Sequence, residues 1–231
     1  MSEELEASVV VPAYGEEEWI GDTLSSLEGQ GSEIIVVAGG EDRTLEVAEE
    51  HPAADTVVED TVQKGWGAAV NQGVEDASGD VVAITDADVI VPEDWVRRHL
   101  ERYEDGVVGV GGPALAREDG IHGRTVNFYG LYVLPVLWRF GLKLKMGNNS
   151  SYRRDELLEA GGFDEDLDFL EDVDMAFRMD KRGNVVYDRS LQVKGSVRRL
   201  QDEGHLSMVS EHLKGYWSHF VRGRGVDADY H

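Results

Sequence analysis

Val81-Val82-Ala83-Ile84-Thr85 leads directly into Asp86-Ala87-Asp88. A short apolar run of this kind is typical of a strand that is buried on both faces of a sheet. Two carboxylates two positions apart at the end of such a strand can share one hard cation, directly or through water. The alternative is a turn in which Asp88 caps the next helix. The D-x-D pattern alone does not decide between these two interpretations.

Similar apolar runs flank this stretch and alternate with segments that are compatible with helices. The pattern predicts strands over 7–12, 34–38, 56–58 and 81–85, and helices over 16–28, 44–50, 67–77 and 92–103. This alternation indicates a parallel sheet covered on both faces, and right-handed crossovers make such a sheet doubly wound. The fold class is therefore α/β, with a single doubly wound, mostly parallel sheet flanked by helices.

The sequence after about residue 105 is less regular. It predicts a glycine-rich, bent strand over 107–116, helices over 155–160 and 170–181, a strand over 184–187 and an amphipathic helix over 204–221. No repeat or linker divides the chain, so we expect one domain over residues 1–231.

The composition limits the partners and the location of the chain. The formal net charge of −24, from 46 acidic and 22 basic residues, repels nucleic acid, so no nucleic-acid partner is expected. We interpret the dispersed carboxylates as adaptation to high salt, where screening is strong; an ordinary acidic cytosolic protein is the alternative. The absence of cysteine excludes thiolate chemistry and fits a cytoplasmic location, and the acidic residues 1–6 do not resemble a secretory signal.

Polar or glycine-rich residues follow three of the predicted strands. They occupy 12–17, 39–42 and 86–88. In open α/β sheets, ligands bind beyond the carboxyl ends of the strands. We therefore expect these three segments to converge on one crevice.

Further motifs surround the paired aspartates. They are K-G-x-G-x-A-x-N-x-G over 64–73, A-x-G-D over 77–80, the opening 9–17, and the later stretches 147–154, 161–165 and 171–174. In this order the chain resembles the family 2 glycosyltransferases over about residues 7 to 200. The resemblance implies a GT-A fold with a nucleotide-sugar-binding half (about 1–105), a smaller acceptor and catalytic half (about 106–200) and a C-terminal amphipathic tail (about 204–231).

The resemblance also implies roles for particular residues. Asp88 and Asp86 would hold Mg²⁺ or Mn²⁺, and Asp172, with Glu171 beside it, would be the catalytic base. The residues implied to border the nucleotide sugar are Pro12, Ala13, Tyr14, Glu16, Gly40, Asp42, Lys64, Gly65, Asn71, Asp86, Ala87, Asn149, Arg198 and Arg199.

One position departs from the family pattern. An aspartate that reads the nucleotide base usually follows the second strand, but Ala38 stands here. Its methyl group cannot accept a hydrogen bond. Base recognition is therefore expected to shift to Glu41, Asp42 or backbone groups, and the nucleotide stays open between UDP, GDP and others.

Several motifs also have a purely structural interpretation. Residues 171–172 could belong to a solvated acidic face, Asn148-Asn149 could form a turn, and Arg198 and Arg199 could balance surface charge. The aromatic segment 128–144 could dock on a membrane or hold a lipid-linked acceptor, or it could be a core-packing helix, which we favour. The C-terminal tail could likewise contact a membrane or pack in the core. His205 is given no role.

The physical chemistry of sugar transfer agrees with these roles. A nucleoside diphosphate leaves poorly until its charge is neutralised, which a divalent cation does as a Lewis acid. The acceptor hydroxyl must lose its proton as it attacks, and a carboxylate can take that proton. We therefore predict an inverting transfer from a nucleotide-diphosphate sugar to a glycan or lipid-phosphate acceptor.

Two alternatives and one question of location stay open. The alternatives are a nucleotidyltransferase, although 12–17 lacks the cation expected in its loop, and a non-catalytic nucleotide-sugar-binding module. The location is expected to be the cytoplasm, with peripheral contact at the inner face of the membrane if the aromatic segments bind lipid.

Overall fold

A computed structural model describes residues 5–143, 147–167 and 170–198 of the chain. Its strands are β1 (Ala7–Tyr14), β2 (Glu33–Gly39), β3 (Thr56–Glu59), β4 (Val81–Thr85), β5 (Val89–Ile90), β6 (Val107–Gly111), β7 (Ala114–Ala116), β8 (Asn149–Arg153), β9 (Asn184–Tyr187) and β10 (Val193–Gly195). Its helices are α1 (Ile20–Leu27), α2 (Thr44–Glu50), α3 (Trp66–Asp76), α4 (Trp95–Leu100), α5 (Ile121–Phe128), α6 (Leu134–Arg139), α7 (Arg154–Glu159) and α8 (Glu171–Asp180).

Seven of these strands form one sheet in the order β3-β2-β1-β4-β8-β6-β9. All neighbouring pairs are parallel except those of β8, which runs antiparallel to both β4 and β6. The predicted doubly wound, mostly parallel sheet is therefore confirmed. A smaller sheet of β5, β10 and β7 stands apart from it.

Helices cover both faces of the large sheet. Consecutive residues of the central strands are apolar, so each strand presents apolar side chains to both faces. Val9 and Val11 pack on one side with α1, α2 and α4. Val10 packs on the other side with α3, α7 and α8. At Gly73 of α3, a Cβ atom would lie 2.5 Å from a methyl carbon of Val10, so only glycine lets this helix approach the sheet so closely.

Two predicted helices begin later than expected. Residues 16–19 form a turn, closed by hydrogen bonds from Trp19 and Ile20 to the Glu16 carbonyl, and α1 starts at Ile20 rather than Glu16. In the same way, a turn precedes α4, which starts three residues after Pro92.

The predicted strand over 107–116 is two strands, β6 and β7, which belong to different sheets. The break falls at Gly112-Pro113, where proline has no N–H for a ladder and a Cβ at Gly112 would meet the Leu191 carbonyl. Strand β8 was not predicted. The alternative of a turn at Asn148-Asn149 holds for Asn148, which lies in a turn, but not for Asn149, which begins β8.

The aromatic segment is helical. Helices α5 and α6 are joined by a π-helical turn over Tyr129–Val133. One face is buried through Leu134 and Trp138, whose ring stacks on Tyr187 with a centroid distance of 5.4 Å, while the opposite face is exposed. The core-packing interpretation therefore holds for one face only. None of the helices within the described residues is long and apolar enough to cross a membrane.

Candidate nucleotide-sugar site

A cleft of about 580 Å³ opens at the carboxyl ends of β1, β2, β3 and β4. It is lined by Pro12, Ala13, Tyr14, Glu16, Val37, Asp60, Gln63, Gly65, Trp66, Ala69, Asp86, Ala87, Asp88, Asn148 and Ser196. Eight of the residues predicted to border the nucleotide sugar or metal are in this set: Pro12, Ala13, Tyr14, Glu16, Gly65, Asp86, Ala87 and Asp88. The first and last of the three predicted segments therefore meet here, while 39–42 lies behind the lining.

Asp86 and Asp88 follow β4 directly. The indole N–H of Trp66 donates a 2.7 Å hydrogen bond to Asp86 Oδ1, which fixes the orientation of that carboxylate. Trp66 itself is held edge-to-face against Phe163. The two carboxylates thus stand on the cleft wall at a rigid strand end.

The donor atoms at this wall suit a hard cation. Carboxylate oxygens are the ligands that Mg²⁺ and Mn²⁺ prefer. In the part of the chain that the structure describes, no group of three or more His, Cys, Asp or Glu side chains forms a complete metal site. Among the described residues, Asp86 and Asp88 are a partial set of ligands for such an ion, and the oxygens of a bound diphosphate would add to that set.

Arg198 reaches into the same wall. Its guanidinium pairs with the buried carboxylate of Glu16 and lies 3.7 Å from Asp88 Oδ2. It also stacks over Trp19 at 5.0 Å from the ring centroid. Arg198 therefore pairs with carboxylates of the cleft wall, and its predicted contact with a diphosphate stays a prediction.

Glu118 holds the segment that carries Arg198. Its carboxylate accepts hydrogen bonds from Ser196 Oγ at 2.8 Å and from the Val197 N–H at 2.9 Å. Burial raises the pKa of Glu118, but these hydrogen bonds outweigh it and leave that pKa below its ordinary value. The hydrogen bonds to Glu118 therefore fix the segment after β10 against the cleft, together with the ion pairs of Arg198.

Asp172 lies at the beginning of α8, next to the cleft. Its Oδ2 accepts a 3.0 Å hydrogen bond from the Gly147 N–H, and Gly147 precedes Asn148, which lines the cleft. The helix enters through Leu170 in the left-handed conformation (φ 71°), which turns its first residues toward residue 147. The side chain of Glu171 runs beside Gly67 of α3.

Asp60 is a cleft residue that the sequence reasoning missed. It follows β3, is buried, and its N–H donates a 2.7 Å hydrogen bond to the Ala38 carbonyl. Its Oδ1 accepts from the N–H groups of Val62 and Gln63. A carboxylate thus stands beside the end of β2, where Ala38 replaces the family's usual aspartate. The sequence shows that Asp60 closely follows a predicted strand, but not that it lies beside Ala38.

Gly40 and Asp42, two predicted site residues in the segment 39–42, do not line the cleft. They stabilise the loops next to it. Asp42 accepts hydrogen bonds from the Thr44 N–H and hydroxyl and from the Glu17 N–H. Burial raises the pKa of Asp42, but these bonds outweigh it and lower that pKa. Gly40 has φ 121°, and a Cβ there would lie 2.8 Å from the Gly15 nitrogen. Both hold the loops together rather than face the cleft.

Lys64 and Asn71 also lie outside the cleft lining. Lys64 is exposed, with its ammonium 3.6 Å from a Glu165 carboxylate oxygen. Asn71 exchanges hydrogen bonds with the backbone of Phe163. The K-G-x-G-x-A-x-N-x-G motif therefore has two roles. It contributes Gly65 and Trp66 to the cleft lining, and it connects α3 to the 161–165 loop through Asn71.

Asn149 is buried, and its amide is used within the fold. Its Oδ1 accepts from the Trp95 indole at 2.8 Å, and its Nδ2 donates to the carbonyls of Pro113 and Leu191. This corrects the expectation that Asn149 faces the nucleotide sugar, because Asn148 is the asparagine on the cleft. His99 contacts the same Oδ1 and Ser151 Oγ, and burial lowers the pKa of His99 to about 4.

Arg199, His205 and the amphipathic tail lie outside the described residues.

Comparison with known proteins identifies relatives that are glycosyltransferases. The sequence model described as glycosyl transferase family 2 matches residues 8–158. The chain is 34% identical over 111 residues to a dolichol-phosphate mannosyltransferase of Pyrococcus furiosus (44% of this chain, 31% of that protein). It is 30% identical over 179 residues to a glucosyl-dolichyl phosphate glucuronosyltransferase of Haloferax volcanii (69% of this chain, 56% of that protein). The chain therefore spans between about a third and about half of these relatives.

Solved structures show the same fold. A mannosyltransferase from Pyrobaculum calidifontis in complex with GDP-Man and Mn²⁺ superposes with a TM-score of 0.67 at 21% identity (92% of this chain, 65% of that chain). Glucosyl-3-phosphoglycerate synthase from Mycobacterium tuberculosis, in complex with Mn²⁺, UDP and glucosyl-3-phosphoglycerate, gives 0.64 at 22% identity (93% and 79%). The predicted GT-A fold is confirmed.

Proposed function

Because the chain belongs to glycosyl transferase family 2, we propose that it transfers a sugar from a nucleotide-diphosphate donor to a hydroxyl or phosphate acceptor, with inversion at the anomeric carbon. The observation that carries the proposal is the placement of Asp86 and Asp88 at the end of β4, on the wall of the cleft. That wall also contains Pro12, Ala13 and Tyr14.

The donor would bind with its diphosphate against the two aspartates. Asp88 and Asp86 would hold Mg²⁺ or Mn²⁺ there, and the ion would supply Lewis-acid neutralisation of the leaving diphosphate. Arg198, already within 3.7 Å of Asp88, would turn its guanidinium to a phosphate oxygen when the donor arrives. Arg199 follows in the sequence and is proposed for the same anion.

A hydroxyl acceptor would be deprotonated by Asp172. A phosphate acceptor is already ionised at neutral pH, and its oxygen would attack without a base. The Asp172 carboxylate is held at the start of α8 by the Gly147 N–H, next to the cleft residue Asn148. A single base on the acceptor side is the requirement of a one-step displacement with inversion. Glu171 is proposed as its neighbour in this role, beside Gly67.

The nucleotide base would be read by Asp60 in place of the missing aspartate. Ala38 offers no side-chain acceptor, whereas Asp60 lines the cleft and is fixed on the Ala38 carbonyl. A carboxylate oxygen there would accept from a ring N–H of the base, as both uracil and guanine can provide.

The acceptor is proposed to be a lipid phosphate or a lipid-linked glycan, since the Pyrococcus and Haloferax relatives carry dolichol phosphate in their names. The setting is proposed to be a salt-rich cytoplasm. That proposal depends on the net charge of −24 and on a sequence without cysteine.

Turnover of labelled UDP- and GDP-sugars in high salt tests the proposal. We expect release of the nucleoside diphosphate with Mn²⁺ or Mg²⁺ and none with a chelator. With a hydroxyl acceptor, Asp172→Asn should lower the rate by about 10²–10⁴, whereas Asp166→Asn, an exposed aspartate of the preceding loop, should leave it unchanged. Binding of the donor without any turnover, with or without acceptor lipid, would instead favour the non-catalytic binding module.

A further inference from the structure

The outer face of the α5–α6 helix carries a continuous apolar stripe. We call it the outer stripe; it consists of Ile121, Phe128, Tyr132, Val136 and Phe140, each more than half exposed. Of the ten large hydrophobic side chains exposed in the described residues, seven lie between positions 121 and 142. Exposed apolar patches of this kind mark interaction surfaces.

The stripe points away from the protein body because the opposite face of the same helix is fixed. The Gly130 carbonyl accepts a 3.1 Å hydrogen bond from the Tyr187 hydroxyl, and Leu134 and Trp138 are buried. The residues of the stripe recur at helical spacing over about 29 Å of helix, given a rise of 1.5 Å per residue. The outer stripe is therefore a linear surface on a docked helix.

Charge distinguishes this segment from the rest of the chain. One residue in five is acidic overall (46 of 231), yet none of the 35 residues from 120 to 154 is acidic. Arg124 and Arg139 are exposed beside the outer stripe. An apolar stripe with cationic residues and no acid is the pattern of a helix that lies in the interface of an anionic membrane.

We propose that the outer stripe binds the surface of an anionic lipid bilayer, with its aromatic rings at the level of the headgroups. Phe128, Tyr132 and Phe140 suit that depth, because aromatic side chains are enriched at membrane interfaces. A second copy of the chain fits less well. In a two-fold dimer the helix would meet itself, so that arginine side chains would face one another without a carboxylate between them.

The proposal is independent of the proposed function, because membrane binding requires neither donor nor turnover. It is tested by co-sedimentation of the full chain with vesicles of phosphatidylglycerol, and with vesicles of phosphatidylcholine for comparison. We expect binding to the anionic vesicles at least about tenfold stronger than to the neutral ones, since each cation near the surface contributes about 1 kcal/mol. This preference should shrink as the salt concentration rises.

Substitutions distinguish binding through the outer stripe from binding through exposed apolar side chains in general. The triple change Phe128→Ser, Tyr132→Ser, Phe140→Ser should weaken binding by at least about tenfold and leave the melting temperature unchanged, because these side chains are exposed. Leu158→Ser, an exposed apolar residue on α7, should bind as the parent chain does.

Three results would each overturn the proposal. They are absence of binding to the anionic vesicles, equal binding of the triple variant, and a parent dimer in solution that the triple variant converts to a monomer. The last result would assign the stripe to a second copy.

Discussion

The two walls of the cleft are built in different ways. The first wall consists of strand ends: Asp86 and Asp88 follow β4, and Asp60 follows β3, so hydrogen-bonded parallel strands fix their positions. The second wall consists of loops that single side chains hold, Asp172 on the Gly147 N–H and Glu118 on Ser196. Under the proposed function, the first wall would hold the metal and the nucleotide base, while the second would supply Asp172 and the guanidinium of Arg198.

The largest effect is expected where the first wall holds the diphosphate. Asp88→Asn should lower turnover by about 10³ or more, because charge neutralisation of the leaving group is worth several kcal/mol. Steady-state rates at saturating Mn²⁺ measure this. An unchanged rate would show that the strand ends do not bind the metal.

The junction between the walls is expected to be sensitive to acid. Strand β8 lies between β4 and β6, and its Asn149 and Ser151 contact His99, whose pKa burial lowers to about 4. The unfolded chain binds a proton below about pH 6.5, whereas the folded chain binds it only below about pH 4. The folded state should therefore be most stable above pH 6.5 and lose up to about 3 kcal/mol as the pH falls to 4.

Denaturant unfolding at a series of pH values, at constant high salt, checks this effect. His99→Gln keeps a neutral polar side chain, so its stability should depend less on pH over the same range. Parallel curves for the two proteins would show that His99 is not the group that titrates.

Within the first wall, Asp60 should control which nucleotide binds. Asp60→Asn should weaken nucleotide affinity by about tenfold, the worth of one hydrogen bond to a charged acceptor. Calorimetry with UDP and GDP measures it, and Glu59→Gln, the exposed neighbour in β3, is the matched control. Similar affinities for all three proteins would leave base recognition to the backbone.

The smallest effect is expected from Arg198, which follows β10 on the second wall and extends its guanidinium to Glu16 and Asp88. Arg198→Lys keeps the charge but loses the planar guanidinium, so donor affinity should fall only about threefold to tenfold. Arg117→Lys is the control, because Arg117 also stacks on Trp19 but pairs with Asp22 rather than with a cleft carboxylate. If the two variants weaken binding equally, Arg198 acts through Trp19 and not on the diphosphate.

Prediction from sequence succeeded where local pattern decides structure. Strand β4 and helix α2 have the predicted bounds, because apolar runs and helical periodicity need no distant partner. The pair Asp86 and Asp88 was located because the strand ends there. The single-domain organisation over 1–231 stays a prediction.

Prediction failed where distant residues decide structure. Strand β8 begins with Asn149-Ser150-Ser151, a polar run that becomes buried only because Trp95, His99 and Tyr103 provide hydrogen bonds to it. No local pattern encodes such partners. In the same way, Asp60 was missed because the link between its N–H and Ala38 exists only once β2 and β3 pair.

The central claim is that acidic strand ends bind a metal–nucleotide complex while the base at α8 serves chemistry alone. Titration of Mn²⁺, followed by electron paramagnetic resonance with and without UDP or GDP, tests it most directly. The parent chain and Asp172→Asn should bind Mn²⁺ with similar affinity when nucleotide is present, and Asp88→Asn should lose that binding. Retention of nucleotide-dependent Mn²⁺ binding by Asp88→Asn, or its loss in Asp172→Asn, would contradict the account.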